Sequence, residues 1–153
     1  MKKFSLPVQI RWADIDQNRH LRHSVYYDYG AMSRITFLSG MGLTAEKMEE
    51  LKIGPIIFRE EAIFRREINL EDKIEIDVEL VKATSDYARW TIRHTITKQD
   101  GTVAAILNLD GAWIDIEKRK LALPGDLIQK IFQDFPKSAD FQLITKEVSL
   151  EKK

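Results

Sequence analysis

Asp14, Asp16, His20 and His23 occupy a single ten-residue stretch of the chain, and their types suit acyl-transfer chemistry. A carboxylate can attack a carbonyl or activate water, and an imidazole can move the proton. The first N–H groups of a helix have no intrahelical acceptor and can hold an oxyanion. From the residues alone each assignment stays open. Aspartate also caps turns by bonding its own backbone two residues on, and of the pair Asp14 reads as the more structural member. His23 equally suits a solvated loop. His94 falls on the apolar face of a strand and reads as a hydrogen-bonded core residue. Three histidines without an i, i+4 pair give no metal signature. P-loop, dinucleotide-glycine and nucleophile-elbow motifs are missing too, so neither metal nor cofactor is expected.

The elements around the loop are legible from periodicity. Val8, Ile10 and Trp12 alternate with Gln9 and Arg11, which predicts a half-buried strand into the loop, with Pro7 at its start. At Ser24 the period becomes helical, with Ser24 as the N-cap of a long helix that stops at Gly40 or Gly42. Gly30 lies inside that helix and predicts close approach by another backbone, because an interior glycine is otherwise unfavourable. A short helix over 44–52 ends at Gly54-Pro55. Beyond it come an extended segment at 56–66, a turn at 69–73, and strict alternation of Ile74, Ile76, Val78 and Leu80 with acids. Ala88, Trp90, Ile92, His94 and Ile96 share the next strand face. Asp100-Gly101 signals a hairpin into a last strand over 102–116. Pro124-Gly125 opens a short amphipathic helix, and the chain from Pro136 reads as a polar tail. Tight turns impose antiparallel neighbours. The expected architecture is α+β: one domain over 1–135, its large antiparallel sheet curled around the long helix, and a polar C-terminal tail over 136–153.

Composition narrows the function classes. With 24 basic and 24 acidic residues the formal net charge is zero, which removes the overall electrostatic case for nucleic acid. There is no cysteine, so disulfides, thiolate metal sites and a cysteine nucleophile are excluded. No apolar run reaches the roughly 20 residues that span a bilayer, and the N-terminus lacks a signal-peptide apolar run. A cytoplasmic protein without nucleic-acid or membrane partners is expected.

The segment Trp12-Ala13-Asp14-Ile15-Asp16 … His20 … His23-Ser24-Val25-Tyr26 resembles the signature loop of hotdog-fold acyl-CoA thioesterases of the 4-hydroxybenzoyl-CoA thioesterase-like group. Asp110-Gly111-Ala112-Trp113-Ile114-Asp115, followed by Arg119-Lys120 and Leu123-Pro124, resembles that family's closing strand and its basic-proline exit. The resemblance spans about residues 6–135. It implies a hotdog fold whose sheet wraps one long central helix, and hydrolysis of an acyl-CoA thioester to acid and CoA. Asp16 takes the place of the family's nucleophile or general base, and His23 that of a catalytic histidine in one bacterial subgroup. His20 matches the histidine of a Gly-His variant of the loop and is the third catalytic candidate. The amides of His23 and Ser24 would form the oxyanion hole. Arg19 stands where the family usually has glycine, which implies another loop path or a charge offered to substrate. Arg19, Lys82 and Arg89 are candidate substrate contacts, as are Arg65, Arg66 and the 118–120 turn. The resemblance also implies a homodimer or homotetramer with acyl-CoA as the small-molecule partner. Two other readings share the fold: a non-catalytic acyl-CoA sensor, and a thioesterase acting on acyl-carrier protein.

Overall fold

The alternation of apolar and polar residues along 74–96 becomes the spine of an antiparallel sheet. In a computed structural model, which describes residues 3–145, the elements run β1 (Ser5–Val8), a 3-10 turn (Trp12–Asp14), α1 (Val25–Gly40), α2 (Ala45–Leu51), β2 (Ile53–Phe64), β3 (Ile74–Asp77), β4 (Glu79–Thr84), β5 (Arg89–Lys98), β6 (Val103–Asp115), β7 (Lys120–Leu121), α3 (Asp126–Asp134) and β8 (Lys137–Ile144). β5 is central. One edge pairs with β6 from Arg89↔Ala112 to Thr97↔Val103. The other pairs with β4 through Leu80↔Ile92 and with β3 through Ile76↔Ile96. β2 lies outside β6, so its long strand forms one rim of the sheet.

Trp90, Ile92, His94 and Ile96 of β5 point to the concave side with Leu107, Leu109 and Trp113 of β6, as period-two patterning requires. α1 lies on that face and buries Val25, Tyr26, Gly30, Ser33 and Phe37. This is the predicted α+β arrangement of a curled antiparallel sheet around one long helix. Two apolar clusters result. One surrounds Tyr26, Ile96 and Leu107 near the start of α1, the other Phe37, Trp113 and Phe132 near its end. Between them, at mid-helix, Ser33 and Arg34 meet His94 in a polar layer.

Several expectations need correction. The first strand is Ser5–Val8, ending before Trp12. Trp12 sits in the 3-10 turn and is 78% exposed, because Arg11 and Asp14 close that turn on each other. Pro55 and Gly54 belong to β2, opposite Trp113 and Ile114, where a rim strand tolerates proline. The strand expected from Ile74 to Leu80 is broken at Val78, whose N–H donates to Phe4 O (3.3 Å) while Leu80 N–H donates to Pro136 O (2.7 Å). That break lets β1 add to β3 and β8 add, in parallel, to β4 along the same edge. Lys137–Ile144, read as part of a polar tail, is therefore a sheet strand. Residues 146–153 of that tail lie outside the described residues. The close approach at Gly30 comes from side chains and not backbone. A Cβ there would lie 3.2 Å from both the His94 ring and Leu107.

Candidate active site

The loop between the 3-10 turn and α1 is held at both ends by backbone. Ile15 bridges Leu21, Asp16 N–H donates to His20 O (2.9 Å), and Leu21 N–H donates to Ile68 O (2.7 Å) beyond the end of β2. Arg19 closes the turn, donating its N–H to Asp16 O (3.0 Å) with φ of +68°. The left-handed conformation that usually calls for glycine is thus kept, with arginine adopting it at a steric cost. The Arg19 side chain is exposed at the loop tip.

The two aspartates are placed very differently. Asp14 is fully buried. Its Oδ1 accepts from Arg11 Nη2 (2.8 Å), and its Oδ2 accepts from Arg11 N–H (3.0 Å) and Tyr29 O–H (2.8 Å). Burial alone would raise its pKa, but the hydrogen bonds from Arg11 and Tyr29 outweigh it and hold the carboxyl below its ordinary value. Asp16 accepts from the N–H groups of Asn18 (2.8 Å) and His20 (3.2 Å), both on Oδ1. Among the described residues no protein donor reaches its Oδ2. One oxygen caps the turn while the other remains available.

Asp16, His20 and His23 line one cleft of about 300 Å³, together with Tyr26, Arg65 and Arg66. His20 Nε2 lies 3.0 Å from Glu67 Oε2. Tyr26 is buried beneath the cleft, and its pKa is pushed up to about 12 by burial and then by the negative charges of Asp16 and Glu67. Its phenol therefore keeps its proton across the physiological range. Tyr26 belongs to the signature segment, whereas Glu67 is a site neighbour that the sequence does not announce. Glu67 reaches the loop only through the long-range pairing of Leu21 with Ile68, which no local pattern encodes. Tyr29 could have been found, since it shares a helical face with Val25.

α1 opens at the cleft. Ser24 is the N-cap residue, as the sequence predicts, but its backbone is already helical and its hydroxyl accepts from Arg22 Nη1 (2.8 Å) instead of capping. Val25 N–H donates to Arg22 O (3.0 Å). Among the described residues the amides of His23 and Ser24 have no protein acceptor, which leaves two donors at the positive end of a 16-residue helix.

Lys82 and Arg89 are not brought to this loop. They line a separate cleft with Phe58, Thr91 and Asp110, and Arg89 sits 5.5 Å above the Phe58 ring. Lys118 and Arg119 lie in the exposed turn before β7, which the exposed Lys120 opens. His94 is buried as expected. Its Nδ1 lies 2.8 Å from Asp77 O and its Nε2 3.0 Å from Arg34 Nη1, which fixes Nδ1 as the protonated nitrogen. Among the described residues no group of three or more potential ligands is placed to hold a metal, and no helix is long and apolar enough to cross a membrane.

The family model of the thioesterase-like superfamily matches residues 10–132. No curated protein matches the chain in sequence. Among solved structures, a hypothetical protein from Staphylococcus aureus in complex with CoA superposes with a TM-score of 0.83 at 19% identity, over 92% of this chain and 90% of that one. A 1,4-dihydroxy-2-naphthoyl-CoA thioesterase from Synechocystis gives 0.78 at 15% identity, over 87% and 97%. A DHNA-CoA thioesterase from Staphylococcus aureus gives 0.73 at 17%, over 88% and 86%. At such identities the likeness is one of fold, and the fold is the hotdog.

Proposed function

The chain belongs to the thioesterase-like superfamily, and from that premise we propose that it hydrolyses an acyl-CoA thioester to the free acid and CoA. The observation that carries this reading is the shared position of Asp16 and the opening of α1. A carboxylate with one uncommitted oxygen lines the same cleft as His23, and the amides of His23 and Ser24 have no acceptor among the described residues.

Asp16 either attacks the thioester carbonyl or takes a proton from the water that does. As the new C–O bond forms, negative charge moves to the carbonyl oxygen, which the His23 and Ser24 amides and the helix dipole stabilise. The C–S bond then breaks and the thiolate leaves, to be protonated by solvent. When Asp16 is the nucleophile, water hydrolyses the resulting anhydride and releases the acid. His23 moves a proton or orients the water, and His20, held by Glu67, keeps the loop in register. Arg65 and Arg66 at the cleft rim supply positive charge for the CoA phosphates.

A homodimer or homotetramer in the cytoplasm is the working unit in this reading. Met32 (60% exposed) and Ile35 (38%) on the outer side of α1, with Ile57 and Phe58 on the rim strand β2, form the apolar surface that a second copy would cover. Arg19, Lys82 and Arg89 meet the substrate only if that second copy brings them to the cleft.

Thiol release from a panel of short, long and aromatic acyl-CoAs tests the reaction. Asp16→Asn is expected to lower kcat at least a hundredfold, with an unchanged circular-dichroism spectrum, since loss of a catalytic interaction of this kind costs about 3 kcal/mol or more. Retention of most turnover in Asp16→Asn would overturn the assignment. Acyl-CoA binding without thiol release in the wild type would favour a sensor.

A further inference from the structure

The cleft that holds Asp16 has a floor as well as a rim. Tyr26, the second residue of α1, is only 3% exposed and lines the cleft with Asp16, His23 and Glu67. Its ring is fixed edge-on against Phe64 at the end of β2, with centroids 4.9 Å apart and planes at 80°. Among the described residues no protein group bonds its hydroxyl. That oxygen is not one of the sealed, unpartnered side-chain atoms of the interior, which belong to Glu60, Trp90, Trp113 and Ser138. It therefore opens on the cleft that the residue lines. Tyr29, one turn further along α1, is the contrast, because its hydroxyl is committed to Asp14 at 2.8 Å.

A phenol buried this deeply normally finds a partner in the protein. Phenylalanine would pack on Phe64 equally well without the cost of desolvating an O–H. Asp16 faces the same cleft with an Oδ2 that no protein donor reaches among the described residues. The two groups are complementary. An ionised carboxylate only accepts, and the phenol stays a donor because burial and the charges of Asp16 and Glu67 oppose loss of its proton. A water held between them donates one hydrogen to the carboxylate and receives one from the phenol. Its second lone pair is then left to attack a carbonyl carbon, with orientation already set.

We propose that Tyr26 is a further catalytic residue, whose phenolic O–H holds the attacking water against Asp16 Oδ2. This assignment rests on the hydrolase reading above and selects the route in which Asp16 acts as a general base. The water oxygen bonds to the thioester carbon as its proton passes to Asp16. Collapse of the resulting intermediate breaks the C–S bond, the thiolate takes a proton from solvent, and Asp16 returns its own proton to solvent. Tyr26 keeps its proton throughout.

Tyr26→Phe keeps the ring on Phe64 and removes only the hydroxyl. In thiol-release assays on the acyl-CoA that wild type hydrolyses best, kcat should fall about tenfold, the worth of one well-made hydrogen bond. KM should stay within about twofold, since the bond acts on water and not on acyl-CoA. The loss should be uniform between pH 6 and 9, because the phenol does not titrate there. A crystal structure of the wild type should show one water within hydrogen-bond distance of both Tyr26 Oη and Asp16 Oδ2. In rapid-quench experiments thiol and acid should appear together in both proteins. An unchanged kcat, a loss confined to KM, a cleft without the shared water, or a burst of thiol ahead of acid would overturn the assignment. Where the variant does not fold, the wild-type water and rapid quench decide. Thiol release by wild type and Tyr26→Phe at the same rate removes this assignment and leaves the hydrolase reading standing. Wild-type protein that releases no thiol from any acyl-CoA removes both.

Discussion

Tyr29 donates its phenolic proton to Asp14 Oδ2 across 2.8 Å and so ties the acid loop to the second turn of α1. Burial, and then this bond to Asp14, raises the Tyr29 pKa well above its ordinary value, so the donor persists at any pH the fold survives. Two aspartates separated by one residue therefore divide the work, with Asp14 holding the loop and Asp16 facing the cleft. Tyr29→Phe should cost about 1.5–2 kcal/mol, the lower part of the range for a hydrogen bond to a charged acceptor. That lowers the melting midpoint by roughly 3–6 °C in a chain of this size. Asp16→Asn should leave the midpoint nearly unchanged, since asparagine keeps a side-chain oxygen for the Asn18 and His20 amides. Scanning calorimetry on both variants checks the contrast. Equal losses of stability would mean that the two aspartates share one structural role.

Arg19 stands with φ of +68° where glycine would be unstrained. Left-handed backbone costs a residue with a Cβ about 1–2 kcal/mol, and glycine returns part of that gain by enlarging the unfolded ensemble. Arg19→Gly should therefore raise stability by roughly 0.5 kcal/mol, or about 1–2 °C in midpoint. Arg19→Ala, which keeps the Cβ, should gain nothing. A lower midpoint for Arg19→Gly would show that the arginine side chain contributes more than its backbone strain takes away.

Period-two alternation along 74–80 and 88–96 and the switch to a helical period at Ser24 are enough to read the sheet and its central helix, because both encode burial locally. The loop was legible for the same reason, as its acids and histidines are neighbours in sequence. What stayed hidden depends on pairing across distance. Lys137–Ile144 becomes β8 only because the break at Val78 leaves an edge open beside Leu80, and nothing in that polar stretch announces it. Glu67 joins His20 only through the return of β2 to the loop. Trp12 misled the reading because a ring at an alternating position suggests burial, while the Arg11–Asp14 closure turns the chain there and leaves the ring in solvent.

Gly111 of β6 sits under the Trp90 ring. A Cβ at this position would lie 2.6 Å from the Ile56 carbonyl oxygen and collide with the Trp90 ring. The first obstacle is backbone of the paired strand β2, so it cannot move aside by changing a rotamer. The nearby register shift between Ile57 and Arg59 is the part of β2 that would have to deform. Gly111→Ala should cost about 3 kcal/mol, the upper part of the range for overpacking. It should also alter the fluorescence of Trp90. Urea denaturation followed by indole emission measures both. A loss under about 1 kcal/mol would mean that the rim strand yields freely.

His94 couples the polar layer at mid-helix to pH. Burial, aided by the positive charge of Arg34, pulls its pKa from 6.5 down to about 3, against the Asp77 carbonyl, which favours the protonated ring. Between these values the unfolded chain binds a proton that the folded state refuses. Stability from this residue is complete above pH 6.5 and declines as the solution is acidified toward pH 3. At pH 5 the loss is about 2 kcal/mol. Asp77 acts oppositely. Burial raises its pKa from 3.8 to about 6, so the folded state gains relative stability as pH falls through that range. The wild-type stability curve thus contains two opposing slopes, and a mutant difference is needed to separate them. His94→Gln retains both a donor for Asp77 O and an acceptor for Arg34 but does not titrate. It should be less stable than wild type at pH 7.5, and that deficit should shrink by about 2 kcal/mol at pH 5, read from urea midpoints at the two values. A deficit of the same size at both would mean that His94 ionises alike in the folded and unfolded chain.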